Sequence, residues 1–361
     1  MRIRLEARPE PSRLAQWLSP VVATAAVLVI GFALFAAMGK NPWEALYTFF
    51  IEPVDTLYDL GELLLKASPI MLCAVGLAVG YRANVWNIGA EGQLILGAIA
   101  GGGLALAFQE SESKLVIPLM IIGGMAGGML WAAIPAFLRT RFNANEILVS
   151  LMLVYVASLV LSLLVHGAWR DPEGFNFPQS KLFSEHALLP NLLPETRLNV
   201  GFLIALAAVA AGWLFMRKSL PGYQMRVAGL APAAANYAGI SAKRTVWMGM
   251  LIGGACAGIA GVGEVAGPVG QLLPVISPGY GFAAIIVAFV GRLHPVGIFF
   301  ASLLMSLLYL GGEAAQMKLA LPSSVTGLFQ GTLLLFLLAA DVFIHYRLRV
   351  VRTAPHGARA A

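Results

Sequence analysis

The sequence predicts an all-α polytopic membrane protein with about ten transmembrane helices, and two observations support this prediction. Hydrophobic residues make up 59% of the 361 residues and charged residues only 12%, whereas a soluble domain carries about 25% charged residues. The apolar residues also form runs long enough to cross a bilayer, which takes roughly 20 residues per helix. The predicted spans lie near residues 18–38, 60–80, 91–108, 115–138, 146–166, 200–216, 245–266, 281–293, 295–312 and 323–345.

The basic residues support this count and orient the spans. When the N-terminus is placed in the cytoplasm, most of the 24 Lys and Arg residues fall on cytoplasmic segments, as the positive-inside rule requires. The sequence therefore predicts a cytoplasmic segment 1–17, a transmembrane domain 18–345 and a cytoplasmic tail 346–361. Within the domain, residues 167–199 form the longest extracytoplasmic loop, and residues 217–244 form a cytoplasmic loop.

A polar stretch from Asn84 to Gln93 interrupts the apolar pattern between the second and third spans. It contains carboxamides, the Glu91 carboxylate and glycines, which are tolerated at membrane depth only where they are buried in protein or line an aqueous cavity. We therefore expect this first break to border a solute pathway. Two interpretations of Glu91 remain open: contact with the solute, or bonds to backbone N–H groups that hold the broken helix together.

A second break runs from Gly263 to Gly281, on the opposite side of the membrane in this topology. Because each half of the chain carries one Gly- or Pro-interrupted segment, the sequence predicts an inverted repeat with broken helices and a solute path between the halves. The eighth span is too short to cross alone and is expected to continue irregularly through Gly279 to Gly281 or to pair with the broken segment before it. The candidate pathway residues are Asn84, Trp86, Asn87, Glu91, Gln93, Glu264, Gln271 and Tyr280.

Other polar and sulfur-containing residues predict no catalytic, metal or cofactor site. Glu146 begins the fifth span, where a carboxylate favours the helix N-terminus, so we expect it to cap that helix. Cys73 and Cys256 both lie in apolar runs and are expected to pack as small side chains. The sequence contains no Ser-Lys dyad and no cluster with metal-ligand spacing, which disfavours an intramembrane enzyme.

The cytoplasmic loop 217–244 contains five basic residues and no acidic one. Pro232 suits the first turn of a helix and Gly239 suits its end, so the loop predicts a short Ala-rich helix tethered to two spans. This spacing is compatible with two kinds of helix: an ordinary interfacial helix, or a helix that binds in a groove of another protein.

Three motifs together resemble one family of transporters. The stretch from Gly229 to Ile240, followed by Lys243 and Arg244, resembles the coupling-helix motif of bacterial ABC importer permeases of the branched-chain amino acid and simple-sugar superfamily. The stretches from Asn84 to Gln93 and from Gly291 to Gly297 resemble two further signatures of that superfamily. The segment from Trp169 to Ser180 resembles the subset that takes up nucleosides through lipoproteins of the basic-membrane-protein type.

The resemblance implies partners and a site of coupling. Such permeases work in the bacterial cytoplasmic (inner) membrane with a second homologous permease, two ATP-binding cassette subunits and an extracytoplasmic substrate-binding lipoprotein. We expect the same partners here, with membrane lipid and without nucleic acid. Ala231 departs from the family, which often has Asn at that place. The implied coupling residues are Arg226, Gly229, Pro232, Ala234, Ala235, Tyr237, Ala238, Gly239, Lys243 and Arg244.

The implied function is import of a nucleoside or related small polar solute, with a simple sugar such as ribose as the alternative. The sequence contains no Gly-x4-Gly-Lys-Ser/Thr loop of the kind that binds ATP. We therefore expect the chain not to be an enzyme, and ATP hydrolysis to take place on a separate subunit. An ion-coupled secondary transporter, with Glu91 and Glu264 as its ion sites, is the competing hypothesis.

Overall fold

The computed structural model describes residues 2–7 and 13–351, and this part of the chain is helical apart from one short pair of strands. The helices are α1 (Arg13–Ala37), α2 (Pro42–Phe50), α3 (Leu57–Arg82), α4 (Ala90–Ala107), α5 (Val116–Phe142), α6 (Glu146–His166), α7 (Gly201–Lys218), α8 (Leu220–Leu230), α9 (Pro232–Tyr237), α10 (Ala242–Glu264), α11 (Tyr280–Val290), α12 (Pro295–Leu319) and α13 (Ser324–His345). The strands are β1 (Arg2–Ala7) and β2 (Tyr346–Val351).

Every predicted span coincides with one of these helices, and the all-α polytopic fold is confirmed. Seven described helices are long and apolar enough to cross a membrane, namely α3 to α7, α10 and α12. Seven of the ten predicted spans coincide with these helices, whereas α11, with 11 residues, is shorter than a spanning helix. The inverted repeat stays a prediction. Neither α2 nor α8 was predicted.

Local caps explain where several helices begin. Thr56 and Asp59 form a capping box at α3, in which the Asp59 N–H donates to Thr56 Oγ1 over 3.1 Å, and this pairing satisfies two exposed N–H groups. At α6, Asn145 is the cap, since its Oδ1 accepts from Ile147 N at 2.9 Å. The prediction that Glu146 caps this helix is therefore wrong, because its carboxylate binds the Arg139 guanidinium instead.

The first of two compact units covers residues 53–310, and α3, α4, α5 and α10 pack closely inside it. Glycines permit this approach: a Cβ atom at Gly97 would lie 2.3 Å from Gly258 Cα, and one at Gly128 would lie 2.1 Å from Gly254 O. Small residues let membrane helices come this near. Of the seven spanning helices, α3 is the most buried.

The second unit combines the two ends of the chain, residues 1–52 and 311–361. The rings of Phe35, Phe49 and Phe329 pack together, with 4.6 Å between the centroids of Phe49 and Phe329. In this unit β1 pairs antiparallel with β2, so parts of the predicted N-terminal segment and tail lie side by side. The rest of those two predicted segments includes residues 1, 8–12 and 352–361, which lie outside the described residues.

Candidate functional site

The first break turns the chain back into the protein after α3. Asn84 adopts a left-handed backbone conformation, with a φ of 57°, which Asn tolerates better than most residues. The N–H of Val85 then donates to the carbonyl of Gly80 over 3.0 Å, and the Val85 side chain is buried. The next helix, α4, begins only at Ala90. The structure therefore shows the predicted interruption as a folded, inward-turning segment.

This segment reaches the middle of the helix bundle. Asn87 Nδ2 lies 3.0 Å from the place that a Cβ atom of Gly253 would occupy, and Gly253 stands halfway along α10. The break therefore returns to about half the depth of α10 before α4 starts. Its polar groups lie deep in the protein, away from both ends of the spanning helices.

Asn87 and Gln93 satisfy each other's carboxamides. Asn87 Nδ2 donates to Gln93 Oε1 over 2.9 Å, and Gln93 Nε2 donates back to Asn87 Oδ1 over 3.1 Å. Asn87 Oδ1 also accepts from the N–H of Gly89 at 3.0 Å. Both side chains are buried, where an unpaired carboxamide would be costly. In this conformation, therefore, the pair fixes the backbone of the break.

Trp86 belongs to a three-ring stack. Its ring centroid lies 5.2 Å from that of Tyr81 and 5.8 Å from that of Phe289, and the Tyr81 and Phe289 centroids are 5.4 Å apart. Tyr81 is near the end of α3 and Phe289 near the end of α11. The stack therefore connects those two helix ends through the first break.

Glu91 joins the beginnings of two helices. Its Oε2 accepts a hydrogen bond of 2.6 Å from the N–H of Gly281, and the bond is buried. Glu91 is in the first turn of α4 and Gly281 is in the first turn of α11, and a carboxylate is stabilised at a helix N-terminus. A Cβ atom at Gly281 would lie 2.2 Å from Glu91 N. Of the two interpretations of Glu91, the structure shows the bond to a backbone N–H.

Tyr280 lies at the same junction. Ser277 Oγ accepts from the N–H groups of Gly279 and Tyr280, at 3.1 Å and 2.8 Å, which holds the start of α11. The buried Tyr280 ring meets the Tyr309 ring edge-on with 5.5 Å between centroids. The two breaks, far apart in the sequence, therefore meet at one place.

Glu264 and Gln271 lie in and beyond the end of α10. Glu264 lies at the end of α10, on a mostly apolar cleft that also contains Asn199 and Ser68. Gln271 is half-buried in the irregular segment that follows the π-helical turn Val265–Val269. The structure thus brings Asn87, Glu91, Gln93 and Tyr280 together around the junction. It places Trp86 and Asn84, whose side chains bond to each other, beside the far ends of α3 and α11.

Loop 167–199, which the sequence predicts to be extracytoplasmic, pairs with the segment that precedes α11. The N–H of Ser180 donates to Leu272 O over 3.0 Å, while the N–H of Leu272 donates to Ser180 Oγ over 2.9 Å. Farther along the loop, the N–H of Leu189 donates to Ala266 O over 2.7 Å. Loop 167–199 is thus hydrogen-bonded to the second break.

An ion pair ties the end of the same loop to α3. Arg197 Nε donates to Glu62 Oε1 over 2.8 Å, and a second bond joins the same two groups. The hydrogen bond with Glu62 raises the pKa of Arg197, so the guanidinium stays charged. This bidentate arrangement is among the stronger polar contacts in proteins.

In loop 217–244, which the sequence predicts to be cytoplasmic, the predicted short helix is confirmed as α9. Pro232 stands in its first turn and Gly239 follows its end with a φ of 75°. Tyr237 is 98% exposed, whereas Ala235 is buried. A Cβ atom at Gly229, in α8, would lie 2.1 Å from Arg82 O. Gly229 and Ala235 therefore face the protein, while the exposed members of the predicted coupling set are Arg226, Pro232, Ala234, Tyr237, Ala238, Gly239, Lys243 and Arg244.

A tight turn after α11 carries the third motif. Arg292 and Leu293 both adopt left-handed backbone conformations, with φ values of 54° and 52°. Desolvation, followed by the positive charges of Arg82 and Arg217, lowers the pKa of His294. The lowered pKa favours the neutral imidazole, whose Nδ1 accepts a 3.3 Å hydrogen bond from the N–H of Val296, and this bond indicates a structural role.

Sequence reasoning missed several partners of the first break. Ser150 Oγ accepts from the N–H of Ile88 at 3.2 Å, and Phe289 supplies the third ring of the stack. Ser150 is one of three serines in α6, and Phe289 lies in the apolar run of α11, so the sequence pattern singles out neither residue. Gly281 carried a weak signal, because it closes the glycine-containing stretch before the short α11.

Residues 60–338 match the family described as branched-chain amino acid transport system / permease component. The chain belongs to this family. It is 34% identical to the glucose ABC transporter permease protein TsgB13 of Haloferax volcanii over 97% of this chain and 95% of that protein. It is 32% identical to the nucleoside ABC transporter permease protein NupB of Lactococcus lactis, over 81% and 83%. It is 28% identical to the guanosine ABC transporter permease protein NupP of Bacillus subtilis, over 90% and 93%.

Proposed function

We propose that the chain is the membrane-spanning permease subunit of an ATP-driven importer for a nucleoside or a related small polar solute. Membership of the permease family and similarity to ABC permeases of nucleosides and glucose support this proposal. ATP hydrolysis would take place on separate ATP-binding cassette subunits. An extracytoplasmic lipoprotein would deliver the solute, and a second homologous permease would complete the channel. The complex would lie in the bacterial cytoplasmic membrane with both termini of this chain inside.

The observation that carries the coupling part of the proposal is the exposed face of α9. Tyr237 projects almost completely into solvent, and interface tyrosines often contribute strongly to binding. Basic residues surround it, since Arg226, Lys243 and Arg244 are all exposed. Such a short helix between two longer ones fits the groove of an ATPase. The preceding helix α8 contacts the backbone of α3 at Gly229, and this contact would carry movement into the bundle.

The solute path in this proposal runs beside the junction of the two breaks. There, half-helices begin in the interior and irregular backbone is buried in protein, as is found where membrane proteins bind polar solutes. Because the solute arrives already captured, weak contacts suffice along the path. The predicted pathway residues around the junction, with Glu264 and Gln271, remain the candidates for these contacts.

Two solute classes have specific support. Two of the three relatives are named for nucleosides or guanosine, whereas the one with the highest identity of these is named for glucose. A nucleoside and a simple sugar share a hydroxyl-rich ring, so the same carboxamide and carboxylate groups could bind either. We propose the nucleoside class first and a simple sugar as the second candidate.

The experiment is reconstitution with the candidate ATPase, the second permease and the binding protein in liposomes that contain ATP. Uptake of labelled guanosine, with unlabelled guanosine, ribose, glucose and riboflavin as competitors, identifies the class. Uptake is expected to require ATP and all subunits, and to persist when ion gradients are dissipated. Concentrative uptake by this chain alone, abolished by dissipating an ion gradient, would instead establish the secondary-transporter hypothesis.

A further inference from the structure

The short helix α11 is held to the first break at both of its ends. At its beginning, the N–H of Gly281 donates to Glu91. At its far end, Phe289 stacks on Trp86, with nearly parallel rings at an interplanar angle of 21°. An 11-residue helix is about 16 Å long, so these two attachments fix its position and its direction relative to the break.

On one side, α11 is connected to the extracytoplasmic loop. The segment that leads into α11 forms backbone bonds with this loop at Ala266, Gly270 and Leu272. The partners are Leu189, Phe183 and Ser180, and Ser180 is completely buried. A displacement of the loop therefore has a hydrogen-bonded route to the beginning of α11.

On the other side, the first break is connected to the cytoplasmic loop. A Cβ atom at Gly229 would lie 2.1 Å from Arg82 O and 3.1 Å from Ala83 Cα. The backbone of α8 thus rests directly on the last turn of α3, where the break begins, with no side chain between them. Close-packed interiors transmit displacement because they compress little, so movement of α8 and α9 reaches the break.

On the basis of the proposed function, we propose that α11 and the first break move as one body that couples loop 167–199 to loop 217–244. In this proposal Glu91 is the positioning residue that joins them. Its carboxylate stands in the first turn of α4 and accepts from the first turn of α11, so a single side chain sets how the two half-helices meet. Substrate delivery outside and ATP hydrolysis inside would communicate through this joint.

The test compares variants of the assembled importer, with this chain, its partner permease, the ATPase and the binding protein in liposomes. For each variant we measure basal ATPase activity, its stimulation by loaded binding protein, and uptake per ATP hydrolysed. Glu91→Ala is expected to lower stimulation and uptake per ATP by about tenfold, within the usual range of coupling energies, and to lower basal ATPase activity less than either. Glu91→Gln keeps an oxygen that can accept from Gly281 and is expected to restore most of the coupling. Glu110→Ala, an exposed carboxylate beyond the end of α4, is the matched control.

A second variant acts at the other end of α11 and leaves Glu91 intact. Phe289→Ala removes the stack on Trp86 and is expected to lower stimulation and uptake per ATP in the same way. The double variant with Glu91→Ala should lose less uptake per ATP than the product of the two single losses. Such non-additivity is the evidence that coupling claims need. If the complex that contains Glu91→Ala does not assemble, the uptake per ATP of the Phe289→Ala complex alone tests the proposal.

The result that overturns the proposal is wild-type uptake per ATP in an assembled Glu91→Ala or Phe289→Ala complex. Equal loss of basal ATPase, stimulation and uptake, without recovery in Glu91→Gln, would also overturn it, because that pattern indicates a purely structural role. If the wild-type complex does not transport, the proposed function is wrong. If the wild-type complex transports and the variants stay coupled, only this inference is wrong.

Discussion

The carboxylate of Glu91 accepts a 2.6 Å hydrogen bond from the N–H of Gly281, 190 positions later in the chain. This bond brings together the first turns of α4 and α11 in the interior of the bundle. Exposed N–H groups at a helix start need partners, and few partners other than protein are available at membrane depth. The Glu91 carboxylate, in the first turn of α4, supplies such a partner to the start of α11.

Gly281→Ala should therefore destabilise the protein. The added methyl group would lie 2.2 Å from Glu91 N and 2.5 Å from Glu91 Cα, and backbone atoms cannot rotate away. Overpacking of this kind typically costs about 1–3 kcal/mol, so we expect a lower midpoint of thermal unfolding in detergent. Gly331→Ala, at a helical position with open space around it, is the control. Equal midpoints for both variants would contradict the close approach of α4 and α11.

The carboxamide pair of the first break gives a second prediction. Asn87→Ala leaves Gln93 and the N–H of Gly89 without their partner, which costs about 1–3 kcal/mol. Gln93→Ala loses the same two bonds between the side chains. The double variant should therefore be less destabilised than the sum of the singles, by about 0.5–3 kcal/mol. Chemical unfolding of the four proteins measures this difference, and strict additivity would exclude a direct pair.

The sequence predicted those elements whose signal is local. The polar stretch from Asn84 to Gln93 marked the first break, Pro232 and Gly239 marked the ends of the short cytoplasmic helix, and apolar runs marked the spans. Each of these signals depends on residues that are close together in the sequence, so it can be recognised without knowledge of the fold.

The contacts that assemble the site could not be predicted in this way. The pairing of Ser180 with Leu272, and of Glu91 with Gly281, joins segments that are distant in the sequence. Their formation depends on helix packing, which the hydropathy pattern does not encode because lipid-facing and protein-facing residues are equally apolar. For the same reason, nothing in the sequence around Gly229 indicated that it faces α3.

Tyr237 on α9 gives a prediction about the partner. Because its side chain is 98% exposed, Tyr237→Ala should change the free energy of unfolding by no more than about 0.5 kcal/mol. A tyrosine anchor in an interface is commonly worth about 2 kcal/mol or more, so affinity for the ATPase should fall by at least about tenfold. Binding of the purified ATPase to detergent-solubilised variants measures this, with Tyr47→Ala, an exposed tyrosine on α2, as the control. Unchanged affinity would remove Tyr237 from the coupling surface.

The ion pair between Glu62 and Arg197 should respond asymmetrically to loss of its partners. The Glu62 side chain is 8% exposed and that of Arg197 is 55% exposed, so Arg197→Ala strands a buried carboxylate, whereas Glu62→Gln leaves a guanidinium that water can solvate. We expect Arg197→Ala to cost about 1–3 kcal/mol, as for other unsatisfied buried groups, and Glu62→Gln to cost less than about 1 kcal/mol.

The pKa of Arg197 provides the pH control for this comparison. The hydrogen bond with Glu62 raises that pKa, so the stability contributed by the guanidinium is fully present below the pKa of the unfolded chain. It is lost only at strongly alkaline pH. The difference in the free energy of unfolding between wild type and Glu62→Gln should therefore stay constant as the pH rises from neutral to mildly alkaline values. Thermal unfolding of the three proteins over that interval measures both effects. A greater loss in Glu62→Gln than in Arg197→Ala would show that the carboxylate is hydrated despite its burial, and that the pair does not anchor the extracytoplasmic loop to α3.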